Sequence, residues 1–211
     1  MTLPDSRIVL DHLLLGIADL DQGIAWVLDK TGVKATAGGS HPGVGTQNAL
    51  VSLGNRQYLE IIALDPSQKH AGRMAALVKD LQTPRVIAWA ASAGNIEELS
   101  RHAAASGYEI EGPSNGDRRK PDGSILKWRT MRIMSGFGDV IPFFIEWGPG
   151  VIHPSQDSPS GCSLEALEIE HPEDKELRIT LLKFGINVLV RKGNKPRLKP
   201  ILSTPMGRVE L

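Results

Sequence analysis

Ile8-Val9-Leu10-Asp11-His12-Leu13-Leu14-Leu15 is a short apolar run broken only by Asp11 and His12. A run of this length, rich in Leu, Val and Ile, favours a buried strand over a helix. The residues C-terminal to it decide the fold. Asp19 stands where a helix N-cap belongs, Asp21 adds negative charge to the first turn, and Ile24, Val27 and Leu28 fall at helical spacing. Gly32 takes the place just past the last turn. The glycine-rich stretch 38–46 reads as a loop, 48–53 as a strand, Gly54-Asn55 as a turn and 58–64 as the hairpin partner. The order is strand, helix, strand, hairpin.

After a connecting helix over 70–82, that order returns. Residues 86–91 read as a strand, and Asn95 caps a helix that runs through His102 and Ala105 to Gly107. Residues 108–111 read as a strand, 112–123 as a Gly/Pro/basic loop, and 126–133 with 140–147 as a strand pair. Gly32 answers to Gly107, Asp19 to Asn95, and the Glu60 strand to the Glu146 strand. Such an internal duplication is weighed before any local detail. Residues 149–160, rich in Pro, Gly and Ser, read as a linker. A strand over 164–169, a helix over 173–184 capped by Gly185 and a strand over 188–190 then suggest a fragment of a third copy.

Bulk properties narrow the function classes. The 211 residues are 41% hydrophobic and 23% charged with a formal net charge of zero, which suits one large domain or two small modules with a shared core. Balanced charge removes the usual electrostatic reason to expect nucleic-acid or membrane-surface binding. A single cysteine, Cys162, excludes an intrachain disulfide and fits a reducing compartment. It has no neighbouring His or basic cluster to activate it as a nucleophile. The first residues carry no basic region with an apolar stretch behind it, and no run is long enough to span a bilayer. A soluble, cytoplasmic protein is the expectation. No C-x-x-C pair or H-E-x-x-H helix occurs, and serine-hydrolase chemistry is not expected.

Five stretches, taken in order and at module spacing, carry a resemblance. They are Leu10-Asp11-His12-Leu13, Gly45-Thr46-Gln47-Asn48, Tyr58-Leu59-Glu60, Arg119-Lys120-Pro121-Asp122-Gly123 and Pro142-Phe143-Phe144-Ile145-Glu146-Trp147. Through them the chain resembles the glyoxalase-like domain group of the vicinal-oxygen-chelate superfamily, which includes glyoxalases, bleomycin-resistance proteins and dioxygenases. The resemblance implies an α+β fold: paired βαβββ modules, about 7–66 and 84–148, forming a curved mixed sheet around a cup. A linker and C-terminal partial βαβ module would occupy 151–211. It also implies metal ligands on the first and last strands of each module: here His12, Glu60 and Glu146. The fourth position falls at Ala88 or Trp89, and neither is a ligand. One imidazole and two carboxylates suit a divalent Fe, Mn, Zn or Ni ion with open positions for substrate oxygens. Glu60 or Glu146 would double as the base.

The residues themselves leave alternatives open. His12, Glu60 and Glu146 each interrupt an apolar strand, so each faces either solvent or a polar cavity. His12 reads equally as a hydrogen-bonded core histidine, and the two glutamates as solvated strand residues. Arg118, Arg119 and Lys120 form either an anion clamp at the rim or a solvated turn. Thr46 and Asn48 are candidates to hydrogen-bond substrate, and Trp89, Trp128 and Phe144 to wall the cavity. His41 is either a proton-transfer group or a plain turn histidine. His153 and His171 precede prolines and read as loop residues; His70 and His102 read as exposed helix residues.

The resemblance implies two functions. One is a metal-dependent lyase, isomerase or extradiol-type dioxygenase acting on a small oxygenated organic molecule. The other is a metal-free protein that sequesters a small molecule. The resemblance also implies pairing of modules within or between chains, hence a homodimer as one arrangement.

Overall fold

The computed structural model describes residues 8–68, 72–120 and 122–211. The first module runs β1 (Leu10–Gly16), α1 (Leu20–Thr31), β2 (Thr36–His41), β3 (Thr46–Ser52) and β4 (Tyr58–Leu64). A short helix, α2 (Arg73–Val78), leads to the second: β5 (Arg85–Ser92), α3 (Ile96–Ala105), β6 (Glu109–Arg119), β7 (Ile125–Met134) and β8 (Phe143–Trp147). These eight strands form one sheet in the order β2-β3-β4-β1-β5-β8-β7-β6. Each module contributes the same half, with its first strand parallel to its last and the two first strands antiparallel at the centre. The duplication read from the sequence is therefore a pseudo-symmetry of the sheet. Asp19 accepts from the Gln22 backbone N–H and Asn95 from that of Glu98, so both helices start where the capping residues place them.

Two stretches expected to be loops are strands. Residues 36–41 form β2, leaving only a turn before β3, and β6 continues to Arg119 through most of the expected 112–123 loop. Glycine density misleads at both places because here it marks close approach of a neighbouring strand's backbone or side chains, not a loop. The sheet curls until its two edge strands meet, with Gly38 and Gly39 of β2 against Arg118 and Arg119 of β6. At Gly39 (φ 129°) a Cβ would lie 2.4 Å from the Arg119 carbonyl oxygen. The expected 70–82 helix is shorter; its start, with His70, lies outside the described residues.

After a short helix, α4 (Pro154–Asp157), come β9 (Ser163–His171), α5 (Asp174–Lys183), β10 (Leu189–Lys192), β11 (Arg197–Thr204) and β12 (Gly207–Glu210). They form a separate four-stranded sheet, β10-β9-β11-β12. The expected βαβ unit is present, as β9 pairs in parallel with β10, and a β-hairpin extends it. One apolar core joins this unit to the outer face of the large sheet, uniting Trp89, Phe144 and Leu13 with Ile169, Phe184 and Leu202. Among the described residues no helix is long and apolar enough to cross a membrane.

Candidate active site

The concave face of the large sheet encloses a cavity of about 380 Å³. Strand alternation sends His12, Tyr58 and Glu60 into it from the first module, and Phe143, Ile145, Trp147, Trp128 and Arg118 from the second. A bulge in β1 shapes one end. Leu10 pairs with Ala91 and His12 with Ala90, so Asp11 is the extra residue. A bulge re-aims a side chain that would otherwise point to the opposite face. Asp11 thereby reaches the same end as its neighbour: its Oδ1 lies 2.7 Å from His12 Nδ1. Its Oδ2 accepts from Trp147 Nε1 at 3.0 Å and from His153 Nε2 at 3.3 Å. Burial pushes the Asp11 carboxyl up, but the hydrogen bonds from His12 and His153 outweigh it and hold it well below the ordinary carboxylate range. Tyr58 stacks on the His12 ring at 4.5 Å, and Phe143 meets it edge-on.

Glu60 is the centre of the arrangement. Its Oε2 lies 3.6 Å from His12 Nε2, and its Oε1 lies 3.7 Å from His41 Nε2. Asn48 Nδ2 donates to Oε1 at 2.7 Å. Arg118 Nη1 donates to Asn48 Oδ1 at 2.5 Å, which fixes the amide with its NH2 toward the carboxylate. The same Nδ2 lies 3.3 Å from His41 Nε2, so that nitrogen is an acceptor and the other, Nδ1, donates to Thr46 Oγ1 at 2.9 Å. Burial holds the His41 imidazole below its ordinary pKa, against the pull of Glu60. Burial raises Glu60, but the facing imidazoles, the Asn48 hydrogen bond and Arg118 prevail and keep it ionised. The cup thus holds a carboxylate and a neutral imidazole, both able to accept a proton, beside a guanidinium cation.

The remaining expectations divide by sheet face. Glu146 does not join His12 and Glu60. It alternates with Ile145 and Trp147, so it points away from the cup and pairs with Arg129, which also holds Glu97. Trp89 and Phe144 lie on that same outer face, in the core against the C-terminal unit: Trp89 Nε1 donates to the Val140 carbonyl, and Phe144 packs on Phe184. They do not line the cup; Trp89 borders a pocket on the outer face, between β1 and the C-terminal unit. Ala88 packs with Leu14 and Ile62 and offers no donor. Arg119 is exposed, with Nη1 on the Gly123 carbonyl, and Lys120 pairs with Asp157. Trp128 lines the cup, edge-on to His41 and to Trp147. Thr46 sits in the wall as the partner of His41. His153, expected in a loop, is buried on Asp11, and His171 ends β9, buried.

A divalent metal does not fit these residues. Each imidazole faces a different oxygen of Glu60, one of those oxygens is already engaged by Asn48, and Glu146 is on the other face. Among the described residues no group of three or more His, Cys, Asp or Glu is placed to hold a metal ion. The stretch Gly112-Pro113-Ser114-Asn115-Gly116 has the G-x-S-x-G spacing, contrary to the expectation from sequence that hydrolase signals are lacking. It lies inside β6 instead of at a strand-to-helix turn, so it forms no nucleophile elbow.

The sequence profile of the glyoxalase-like domain family matches residues 10–183, which spans both modules and α5. The chain belongs to the glyoxalase-like domain family. Solved structures share this fold. A hypothetical protein from Staphylococcus aureus superposes with a TM-score of 0.72 at 18% identity, covering 90% of this chain and 88% of that one. Methylmalonyl-CoA epimerase from Mycobacterium tuberculosis gives 0.51 at 20% identity, covering 70% and 94%. A hypothetical protein from Bacillus halodurans gives 0.51 at 12%, covering 70% and 98%. At these identities the likeness establishes the fold and not the reaction. No curated protein matches the sequence.

Proposed function

We propose that this glyoxalase-like protein is an enzyme that moves a proton on a small oxygenated organic molecule, using Glu60 and His41 as the acid–base pair and no metal. The observation that carries this reading is a buried Glu60 carboxylate with an imidazole nitrogen facing each of its oxygens, in a cavity of ligand size. The ionised Glu60 can take a proton from carbon next to a carbonyl, and the carboxylic acid so formed returns it to the carbon or passes it to the neutral imidazole of His41. Glu60 and His41 stand 3.7 Å apart, and a substrate C–H between them and the cup opening would reach both. His12, held by Asp11 and stacked on Tyr58, tunes the other oxygen of Glu60. An epimerase among proteins of the same fold is consistent with proton transfer in such a cup.

The test is solvent exchange. Small 2-substituted carbonyl compounds are incubated with protein in D2O and the loss of the C–H resonance is monitored by NMR. Exchange by the wild type that disappears in Glu60→Gln, and survives chelator, supports the proposal. Exchange unaffected by Glu60→Gln refutes it. The aromatic wall of Trp128, Trp147 and Phe143 also favours a second reading, a metal-free binding protein. Tight ligand binding without exchange, equal in wild type and Glu60→Gln, would select it.

A further inference from the structure

Arg118 is 4% exposed, yet it lines the cup. A buried cation ordinarily sits on a carboxylate, because desolvating it alone is costly. The other cation that lines the cup obeys this, as Arg132 bonds Asp139. Arg118 does not. Among the described residues its one hydrogen-bond partner is the neutral amide oxygen of Asn48, and no carboxylate lies within 4.0 Å. Its other nitrogens are not sealed in the core, since Ser135 Oγ is the one fully buried side-chain polar atom without a partner among the described residues. They open to the cavity. The chain also makes room for this guanidinium: a Cβ on Gly38 would lie 2.1 Å from Arg118 Nη1 and 2.3 Å from Asn48 Oδ1.

We infer that Arg118 is the anchor for a carboxylate on the substrate, which makes the substrate class a small organic monoacid with an apolar, ring-sized body. The inference rests on the cup being the substrate site. A guanidinium presents a planar fork of N–H donors that matches a carboxylate. Among the described residues Arg118 is the cup-lining cation with no carboxylate on it, so it can take up one carboxylate, and a second negative charge on the substrate would be left unpaired beside the ionised Glu60. Trp128, Trp147 and Phe143 offer the apolar body a wall opposite the polar first module. A carboxylate on Arg118 also fixes which end of the substrate reaches Glu60, through the Arg118–Asn48–Glu60 chain of hydrogen bonds.

The experiment uses the tryptophans of the cup as reporters. Phenylacetate, phenylacetamide and phenyl phosphate are titrated into the full chain and monitored by tryptophan emission. Phenylacetate is expected to bind at least about tenfold more tightly than the amide, the worth of one charge-assisted contact. Phenyl phosphate is expected to bind no better than phenylacetate. Arg118→Met reduces phenylacetate to the affinity of the amide and leaves the amide unchanged. Gly38→Ala keeps the arginine but displaces its tip, and produces the same loss, so the result does not depend on Arg118→Met folding. Equal binding of acid and amide by wild type overturns the anchor and leaves the cup as substrate site. Tighter binding of phosphate overturns the monoacid class. No change in emission with any probe at tens of millimolar overturns the cup reading and the anchor together.

Discussion

Replacing Asp11 by alanine removes the acceptor shared by three donors, two of them on buried histidines. His12 Nδ1 at 2.7 Å, Trp147 Nε1 at 3.0 Å and His153 Nε2 at 3.3 Å all lose their partner. Asp11 and His153 are 3% and 1% exposed, so water does not replace it cheaply. Removing one member of such a buried charged set costs about 3–5 kcal/mol. For 211 residues that corresponds to a fall in melting temperature of about 7–11 °C. Asp11→Asn keeps the shape and one acceptor oxygen and is expected to lose less than Asp11→Ala. The assay is urea and thermal unfolding at neutral pH, monitored by circular dichroism. A cost for Asp11→Ala below about 1 kcal/mol, the range of an exposed ion pair, would refute the claim that this carboxylate organises the end of the cup.

Glu146→Gln breaks only a half-buried pair with Arg129; it is expected to cost about 0–1 kcal/mol and to leave phenylacetate binding unchanged, as the same titrations would show. Stability should fall on acidification in two stages. His41 has a folded pKa below its unfolded value, so the folded state loses ground as pH drops below about 6.5. Asp11 and Glu60 are depressed carboxylates whose stabilisation is complete above their unfolded values and is lost as pH falls below about 4. Melting temperature against pH checks this, and His41→Asn should remove the first stage only. Elemental analysis of protein carrying no metal-binding tag should give well under one equivalent of Fe, Mn, Zn or Ni, with ligand affinity unchanged by chelator.

Much of the fold was legible because its signals are local. Capping residues at Asp19 and Asn95, glycines at Gly32 and Gly107, and alternating apolar strands repeat at the same spacing in both modules. The edge strands β2 and β6 were not legible, since the β2 glycines make room for Arg118 and Arg119 some eighty residues on, and the β6 glycines for Thr130 and Trp128 of the neighbouring strand. His12, Glu60, Thr46, Asn48, Arg118 and Trp128 meet in one cup, as alternation on β1, β4 and β3 allowed. Glu146, Trp89 and Phe144 were misplaced for one reason. Alternation says which residues share a face but not which face is concave, and the C-terminal unit covers the face they occupy. Asp11 was hidden by its bulge, because a regular strand would have turned it away from His12. Phe143-Phe144 invited the same error, as adjacent phenylalanines offer no hint of which one points inward.

The two halves of the large sheet are alike in path and unlike in chemistry. One lends the cup Glu60 and the imidazoles; the other lends indoles, a phenyl ring, the guanidiniums of Arg118 and Arg132 and the Asp117 carboxylate. A molecule lying across that divide has a reactive side and an inert side before any bond is made. Its two mirror-image faces are then unequal, because only one can be turned to Glu60 while the ring remains on the indoles. On the proposed reaction, the handedness of the product would thus follow from the unlikeness of the two copies.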